Sequence, residues 1–178
     1  MKLPIITERL ILRKLTNDDV DNIFLLDSNP DVMKYVGVPP SSSREQSAKM
    51  VENILNQYDE NGTGRLAVIE KETNKFIGWC GIKLLTDEVN GFKDVYELGY
   101  RFLPEFWGKG YATESATASL DLGFNQLNAE KIYAYADIDN ESSNHILTKL
   151  GFENKGAFLD NGDDCYWYEL EKNNRKQK

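Results

Sequence analysis

A glycine-containing turn between a predicted strand and a predicted helix is the feature that most constrains this chain. Residues 97–102 alternate in the way that a half-buried strand does, and Pro104 ends the alternation. Gly108 and Gly110 then lead into a run of helix-forming residues that begins at Ala112. A helix entered through glycines exposes its first N–H groups at the positive end of the helix dipole. The turn therefore predicts an anion site that suits a phosphate.

The length and composition are those of an ordinary globular protein. The chain has 178 residues, of which 40% are hydrophobic and 28% are charged. This length predicts one domain, residues 1–171, followed by a charged, frayed tail at 172–178. The apolar runs are too short to cross a bilayer, and the first residues lack the apolar core of a signal peptide. We therefore expect a cytoplasmic protein that does not bind membranes.

The net charge and the cysteines narrow the function further. The net charge of -8 argues against general nucleic-acid binding and favours a cationic or amine partner, although it also serves solubility. Cys80 and Cys165 are the only cysteines, and neither lies at the spacing of a zinc site or a disulfide framework. We expect both to be buried small side chains, with a redox role as the alternative. No metal site is expected.

Hydrophobic periodicity predicts a mixed sheet covered by helices. The predicted strands are residues 10–15, 66–70, 76–85, 97–102, 131–137, 156–160 and 165–171. The predicted helices are residues 20–28, 44–59, 112–125 and 142–150. Because a helix joins the strands at 97–102 and 131–137, we expect these two strands to be parallel neighbours. Gly78 and Gly81 mark either a bulge with close backbone approach or simple tight packing.

Two common phosphate motifs do not fit the glycine turn. A P-loop needs Ser or Thr directly after Gly108-Lys109, and a further glycine where this chain has Leu103. A dinucleotide fingerprint needs a glycine or alanine three residues after Gly110, and that position is Thr113. The turn therefore calls for a third interpretation.

Five segments, in this order and at these separations, carry a resemblance to a known family. They are TERLILR at 7–13, LGY at 98–100, WGKGYATE at 107–114, NESS at 140–143 and KLGF at 149–152. Together they resemble the GNAT superfamily of N-acetyltransferases, and within it the branch of ribosomal-protein N-terminal acetyltransferases. The resemblance covers nearly the whole chain. It implies an α/β (α+β) fold with a mixed, mostly antiparallel seven-stranded sheet, a splayed central parallel pair and about four flanking helices.

The resemblance also implies acetyl-CoA as co-substrate, bound in the splay between the parallel strands. Its pyrophosphate would lie on the backbone N–H groups of residues 108–112, where glycines let the main chain approach an anion. Lys109 either adds a positive charge or is only solvated, and Trp107, where the family usually has Gln or Arg, suggests packing. The positions assigned to the cofactor are Tyr100, Phe102, Gly108, Lys109, Gly110, Tyr111, Ala112, Thr113, Asn140 and Ser143.

Acetyl transfer to an amine needs a neutral amine, stabilisation of the oxyanion and a proton for the departing thiolate. Because an alkyl amine has a pKa of about 10, a carboxylate or a water relay must remove its proton. Glu97 is the candidate base, with Asp94 in reserve. The resemblance places the oxyanion donors on a bulge at residues 100–102.

The proton donor for the thiolate is the weakest point of the resemblance. Many family members use a tyrosine in the last helix, and the matching position here is Leu147. The resemblance makes the Ser143 hydroxyl the best remaining donor, with satisfaction of the first helical turn as the alternative. Asn140 is either a contact for the pantetheine amides or only a helix cap.

We therefore expect an acetyl-CoA-dependent N-acetyltransferase that works by direct attack in a ternary complex. The acceptor is either a protein N-terminal α-amine or a small cationic amine, and its pocket is expected at residues 33–40 and 79–85, with Tyr35 and Trp79. The protein would act as a monomer or a homodimer. The alternative is a catalytically degenerate acyl-CoA-binding sensor or scaffold of the same fold.

Overall fold

One mixed sheet of eight strands runs through the computed structural model, which describes residues 1–174. The strands are β1 (Ile5–Ile6), β2 (Leu10–Lys14), β3 (Arg65–Glu70), β4 (Lys75–Leu85), β5 (Val95–Phe102), β6 (Lys131–Asp137), β7 (Glu153–Asp160) and β8 (Asp163–Glu171). Their order across the sheet is β1-β2-β3-β4-β5-β6-β8-β7. β5 and β6 are parallel, whereas the other neighbouring pairs are antiparallel. The predicted fold class is confirmed.

Five α-helices accompany the sheet within residues 1–174. They are α1 (Val20–Asp27), α2 (Pro30–Met33), α3 (Arg44–Glu60), α4 (Tyr111–Asn125) and α5 (Glu141–Leu150). α4 packs on β4 and β5, and α1 packs on α3. α3 buries Val51, Ile54 and Tyr58, whose spacing of three and four residues places them on one helical face. These residues form the face that α3 turns toward the core.

The structure adds two short elements to the predicted strands and helices. β1 has two residues, which pair with Ile11 and Leu12 of β2, and two residues are too few to show a period. α2 is a single turn, and its N-cap Asn29 accepts a hydrogen bond from the Asp31 backbone N–H. The sheet therefore has eight strands where seven were predicted, and the helices number five where about four were predicted.

The C-terminal end of the described chain is anchored to the body of the fold. Lys172–Asn174 forms a short 3₁₀ turn, and the Lys172 N–H donates to the Glu130 carbonyl. The frayed tail at 172–178 stays a prediction. Residues 175–178 lie outside the described part of the chain.

Gly78 combines a bulge with a close backbone approach, so the open alternatives at this glycine are decided. The pairing of β3 with β4 shifts register between Val68 and Ile69, which lie opposite this part of β4. A Cβ added at Gly78 would lie 2.8 Å from the Phe102 Cα, and one at Gly81 would lie 2.7 Å from the Gly64 carbonyl. Both positions therefore need glycine because neighbouring backbone occupies the space.

Both cysteines are buried and unpaired, as the sequence predicted. Burial raises the pKa of the Cys80 thiol, and it raises the pKa of Cys165 to about 11. Within residues 1–174, no helix is long and apolar enough to span a membrane. No group of three or more His, Cys, Asp or Glu side chains in that range is placed to hold a metal ion. The domain boundary at 171 and the cytoplasmic location stay predictions.

Candidate active site

The parallel strands β5 and β6 separate and leave a wedge in the centre of the sheet. Their ladder pairs Glu97 with Tyr133 and does not continue toward the carboxyl ends of the strands. The wedge is the middle of a cleft of about 1070 Å³, whose walls include residues 99–102 of β5 and 134–137 of β6. The separation therefore opens a passage from one side of the sheet to the other.

The start of α4 closes one end of this cleft and has the geometry of an anion cradle. Gly108 and Gly110 have φ values of 71° and 82°, in the left-handed region that favours glycine. Gly110 is the N-cap of α4, so the first backbone N–H groups of the helix, from Tyr111 onward, have no intrahelical acceptor. A Cβ added at Gly108 would meet nothing within 4 Å. The turn thus leaves room for a phosphate beside free backbone donors.

The turn is tied to the end of β5 by Trp107. Its indole Nε1 donates to the Phe102 carbonyl at 2.7 Å, while the residue is 49% exposed and lies on the cleft wall. The Lys109 Nζ lies 5.2 Å from the centre of the Phe106 ring, and Lys109 is exposed and outside the cleft wall. Lys109 therefore offers the cradle its backbone groups. The contribution of its side-chain charge to phosphate binding stays a prediction.

Tyr100 and Ser143 meet across the wedge. The two hydroxyl oxygens lie 3.0 Å apart, and the Tyr100 hydroxyl also donates to the Ser143 carbonyl at 3.2 Å. Burial raises the pKa of Tyr100, so the phenol stays protonated and can act as a hydrogen-bond donor. The Ser143 hydroxyl therefore contacts the cleft rather than serving only the first turn of its helix.

Asn140 and Leu147 fix the two ends of the α5 wall. The Asn140 Oδ1 accepts from the Ser143 N–H at 3.1 Å, which is a helix cap, and the amide NH₂ group of the same side chain can still donate to a ligand. Leu147 is buried on the cleft wall and has no hydroxyl to offer. On the cleft wall α5 therefore offers the hydroxyls of Ser142 and Ser143, and that of Ser143 is bonded to Tyr100.

Glu97 lies on the cleft wall with a buried ion pair that the sequence analysis missed. The residue is 4% exposed, its carboxylate accepts a hydrogen bond from the Arg65 guanidinium, and Lys83 Nζ lies 4.0 Å from Oε2. The Glu97 charge raises the pKa of Lys83, but burial and Arg65 outweigh it, so that pKa is lowered overall. The role of Glu97 as base stays a prediction. Asp94, the reserve candidate, lies before β5 and outside the cleft wall.

A second buried pair continues this row of charges. The indole of Trp79 has the guanidinium carbons of Arg65 and Arg101 each 5.1 Å from its ring centre. Arg101 in turn donates to Asp27 at 2.5 Å. These residues, apart from Asp27, line the cleft on the side away from α4. The sequence held one indication of these ion pairs, because an arginine at the edge of a buried strand needs a buried partner.

The mouth on this second side combines a loop with the tip of a hairpin. Residues 34–38 line it, and Asp163 Oδ2 lies 2.9 Å from where a Cβ on Gly37 would stand. Asp160 and Asp163 are pairing partners at the end of the β7–β8 hairpin. The predicted acceptor segments therefore contribute Tyr35 and Trp79 to the cleft, whereas the hairpin acids were not predicted.

Most of the predicted site residues come together in this cleft. Those on its wall are Glu97, Tyr100, Phe102, Gly108, Gly110, Tyr111, Ala112, Thr113, Asn140 and Ser143. One feature differs from the expectation: the pairing of β4 with β5 runs without a register shift from Val95 to Phe102, so residues 100–102 form no bulge in that ladder. The irregularity lies instead between β3 and β4. Donors at residues 100–102 must therefore come from the side that faces the wedge.

Comparison with known proteins places the chain in one family by sequence and by fold. The model of the acetyltransferase (GNAT) domain matches residues 9–153. An uncharacterized N-acetyltransferase, p20 of Bacillus licheniformis, is 35% identical over 154 residues, which cover 86% of this chain and 84% of the relative. The spermidine N(1)-acetyltransferase of Escherichia coli K12 is 31% identical over 148 residues, which cover 83% of this chain and 75% of the relative.

A solved structure gives the same result. The GNAT-family acetyltransferase of Bacillus anthracis matches with a TM-score of 0.80 and 27% identity, over 95% of this chain and 98% of that one. The family model spans the cradle, the wedge and the start of α5 through to β7. The chain therefore belongs to the GNAT family and is an N-acetyltransferase that takes its acetyl group from acetyl-CoA.

Proposed function

We propose that this chain transfers the acetyl group to a primary amine that carries a second positive charge, by direct attack in a ternary complex. The observation that carries the proposal is the continuity of the cleft, which runs from the glycine turn before α4 to the acidic tip of the β7–β8 hairpin. A donor can enter at one end while an acceptor enters at the other. The reaction then takes place at the wedge between them.

The donor side is assigned to the residues of the cradle. The backbone N–H groups of residues 108–112 hold the pyrophosphate, because the glycines let the main chain come close and the α4 dipole favours negative charge. The NH₂ group of Asn140 donates to the pantetheine arm. When bound, acetyl-CoA supplies an activated thioester carbonyl, and Tyr100 and Phe102 of β5 flank the wedge where that carbonyl would lie.

The acceptor side is assigned to the hairpin acids. Burial raises the pKa of Asp160, and so does the charge of Asp163, while Lys83 lowers it. A cation bound beside Asp160 and Asp163 would therefore stabilise the charged form of Asp160. A distal ammonium on the acceptor provides that cation. The kinship with a spermidine acetyltransferase supports the same class of acceptor.

Proton transfer is assigned to groups on both sides of the wedge. The ammonium loses its first proton to water and becomes the neutral nucleophile, and Glu97, directly or through water, takes the second proton as the nitrogen attacks. The Ser143 hydroxyl, held by Tyr100, donates to the sulfur as the carbon–sulfur bond breaks. The nitrogen thus gains the acetyl group and loses both protons, and the thiolate leaves stabilised by a hydroxyl.

Two further predictions from the sequence remain as competitors. Membership of the ribosomal-protein branch would make a protein N-terminal α-amine the acceptor. A catalytically degenerate acyl-CoA sensor would bind the donor without turnover. The Ser143 hydroxyl in the cleft, where Leu147 offers none, argues against the sensor.

A matched panel of amines tests the proposal. Thiol release from acetyl-CoA is measured with spermidine, with butylamine, and with a lysine-free peptide that has a free N-terminal amine. We expect kcat/KM for spermidine to exceed that for butylamine by about tenfold or more. Replacing both hairpin acids, Asp160→Asn and Asp163→Asn, should remove that advantage and leave the KM for acetyl-CoA unchanged. Preference for the peptide, equal rates with all three amines, or no turnover would contradict it.

A further inference from the structure

The segment before β2 carries part of the family resemblance but has no role in the proposed reaction. Thr7 and Arg9 belong to the short turn between β1 and β2. Arg9 is not on the cleft wall and approaches the glycine turn from the opposite side, next to Glu70 and Tyr111. Its position raises the question of what a guanidinium does behind an anion cradle.

Arg9 contacts the cradle at several points around Gly110. Its Nη1 donates to the Lys109 carbonyl at 2.9 Å, and its Nε donates to the Glu114 carboxylate at 2.7 Å. Its guanidinium carbon lies 4.5 Å from the centre of the Tyr111 ring. One side chain therefore holds the residue before Gly110, the residue after it and the first turn of α4.

The contact with Lys109 fixes the direction of a donor. The C=O of Lys109 and the N–H of Gly110 belong to one peptide unit, which is planar and trans, so the two groups point in opposite directions. Because Arg9 holds the carbonyl behind the turn, the Gly110 N–H is aimed away from Arg9. Gly110 lies on the cleft wall, so its N–H is oriented before any anion arrives.

The contact with Glu114 removes a competing charge. This carboxylate lies in the first turn of α4, close to where an anionic ligand would sit on the cradle. Burial raises its pKa, but hydrogen bonds from the Thr7 hydroxyl and from the backbone and side chain of Arg9 outweigh that effect, so its pKa is lowered. Glu114 therefore stays ionised, and Arg9 offsets its repulsion of a phosphate.

We infer that Arg9 is a positioning residue that orients the backbone donors of the cradle and neutralises the carboxylate beneath them. The inference rests on the proposed placement of the pyrophosphate on residues 108–112. It predicts that loss of Arg9 weakens the binding of the pyrophosphate group and changes nothing else in the reaction. Acceptor binding and the chemical step depend on other residues, so we expect both to be unaffected.

A donor that lacks the pyrophosphate separates this role from a general structural one. Activity of Arg9→Ala is compared with wild type using acetyl-CoA and using S-acetylpantetheine. We expect kcat/KM with acetyl-CoA to fall about tenfold, through KM, while the value with S-acetylpantetheine and the KM of the amine stay within about twofold. Arg9→Lys should restore part of the loss, because a lysine can reach one acceptor but cannot hold both in fixed geometry.

Arg13→Ala is the matched control. Arg13 also holds a carboxylate, that of Asp19, and its side chain is 37% exposed against 42% for Arg9. We expect this variant to leave the KM for acetyl-CoA unchanged. Equal loss with both donors, or no loss with either, would overturn the inference.

A third variant separates failure of the inference from failure of the cradle. Gly110→Glu strains the left-handed turn, where φ is 82°, and puts a negative charge into the cradle with its Cβ 3.4 Å from Arg9 Nη2. If Gly110→Glu abolishes CoA binding and Arg9→Ala leaves it intact, the role of Arg9 is wrong and the cradle stands. If neither variant weakens CoA binding, the placement of the pyrophosphate is wrong, and the inference is overturned with it.

Discussion

The hydroxyl oxygens of Tyr100 and Ser143 lie 3.0 Å apart, one on β5 and the other in the first turn of α5. They join the two walls of the wedge at the level where the parallel strands have separated. The last helix has Leu147 at the position where the family resemblance leads one to expect a tyrosine. The pair therefore supplies phenol and hydroxyl from two other positions, and it is the natural candidate to stabilise the leaving thiolate.

Removing either hydroxyl of this pair should slow the chemical step. We expect Ser143→Ala and Tyr100→Phe each to lower kcat by about tenfold to hundredfold, because hydrogen-bond stabilisation of developing charge is lost. The double variant should be no worse than the more damaging single variant, since the two groups act as a unit. Steady-state rates at saturating acetyl-CoA check both points.

Tyr168→Phe is the control for that experiment. Tyr168 is also buried and its hydroxyl donates to Asn144 on the same helix at 3.0 Å, but it lies outside the cleft wall. Its loss should leave kcat within about twofold of wild type. Unchanged kcat in Ser143→Ala and Tyr100→Phe would remove the pair from the mechanism.

Direct transfer predicts a specific kinetic pattern. Cys165 is the cysteine on the cleft wall, and burial together with nearby aspartates raises its pKa to about 11. A thiol in that state is a poor nucleophile at neutral pH. Plots of initial rate against amine at several acetyl-CoA concentrations should intersect, and Cys165→Ala should retain activity. Parallel lines, together with an inactive Cys165→Ala, would indicate a covalent acyl-enzyme instead.

Gly99 makes room for the buried ion pair beside it. A Cβ at this position would lie 2.6 Å from the Arg65 Cζ, so the guanidinium would have to move from Glu97. Breaking a buried pair leaves an uncompensated charge, and we expect Gly99→Ala to cost about 2–4 kcal/mol in unfolding free energy. Urea denaturation measures this value.

A second variant, Arg65→Met, identifies the cause of the stability lost in Gly99→Ala. In an Arg65→Met background the guanidinium is absent, and the added methyl of Gly99→Ala no longer displaces a charge. Most of the cost should therefore vanish in a double-mutant cycle. An equal cost in both backgrounds would show that Gly99 matters for the backbone alone.

Local patterns were enough to predict the cradle and the central strands. The glycines at 108 and 110, the alternation of β5 and the helix after it are adjacent in sequence, so short-range rules apply to them. The parallel pairing of β5 and β6 also followed, because a helix connects them.

Contacts between distant residues could not be predicted in the same way. Arg65 and Glu97 are 32 positions apart, and Tyr100 and Ser143 are 43 apart. Each pair depends on the register of strands and on the depth at which a helix docks, and sequence periodicity specifies neither. The one available signal was chemical, since an arginine beside a run of buried residues needs an acidic partner.

The Arg13–Asp19 pair should make stability depend on acid pH. Asp19 is buried, which raises its pKa, but hydrogen bonds from Arg13, Thr16 and Asn22 outweigh burial and lower it below the ordinary value of 3.8. A lowered pKa in the folded state stabilises the protein above about pH 4, and this contribution is lost as pH falls through the folded-state pKa.

Asp19→Asn tests this dependence of stability on pH. We expect it to cost about 1–3 kcal/mol at pH 7 and progressively less below pH 4, as measured by urea denaturation across that range. Asp18→Asn, at the exposed neighbouring position, should show no such trend. A cost for Asp19→Asn that is the same at pH 7 and pH 3 would rule out linkage through this carboxylate.

The central claim is that the glycine turn before α4 holds the pyrophosphate of acetyl-CoA. Its most direct test is calorimetric titration of CoA into wild type and into Gly110→Glu, with folding of the variant checked by circular dichroism. The claim predicts that the variant is folded and shows no measurable CoA binding, because a side chain strains the left-handed turn at Gly110 and adds a negative charge to the cradle. CoA affinity equal to that of wild type in a folded Gly110→Glu would contradict it.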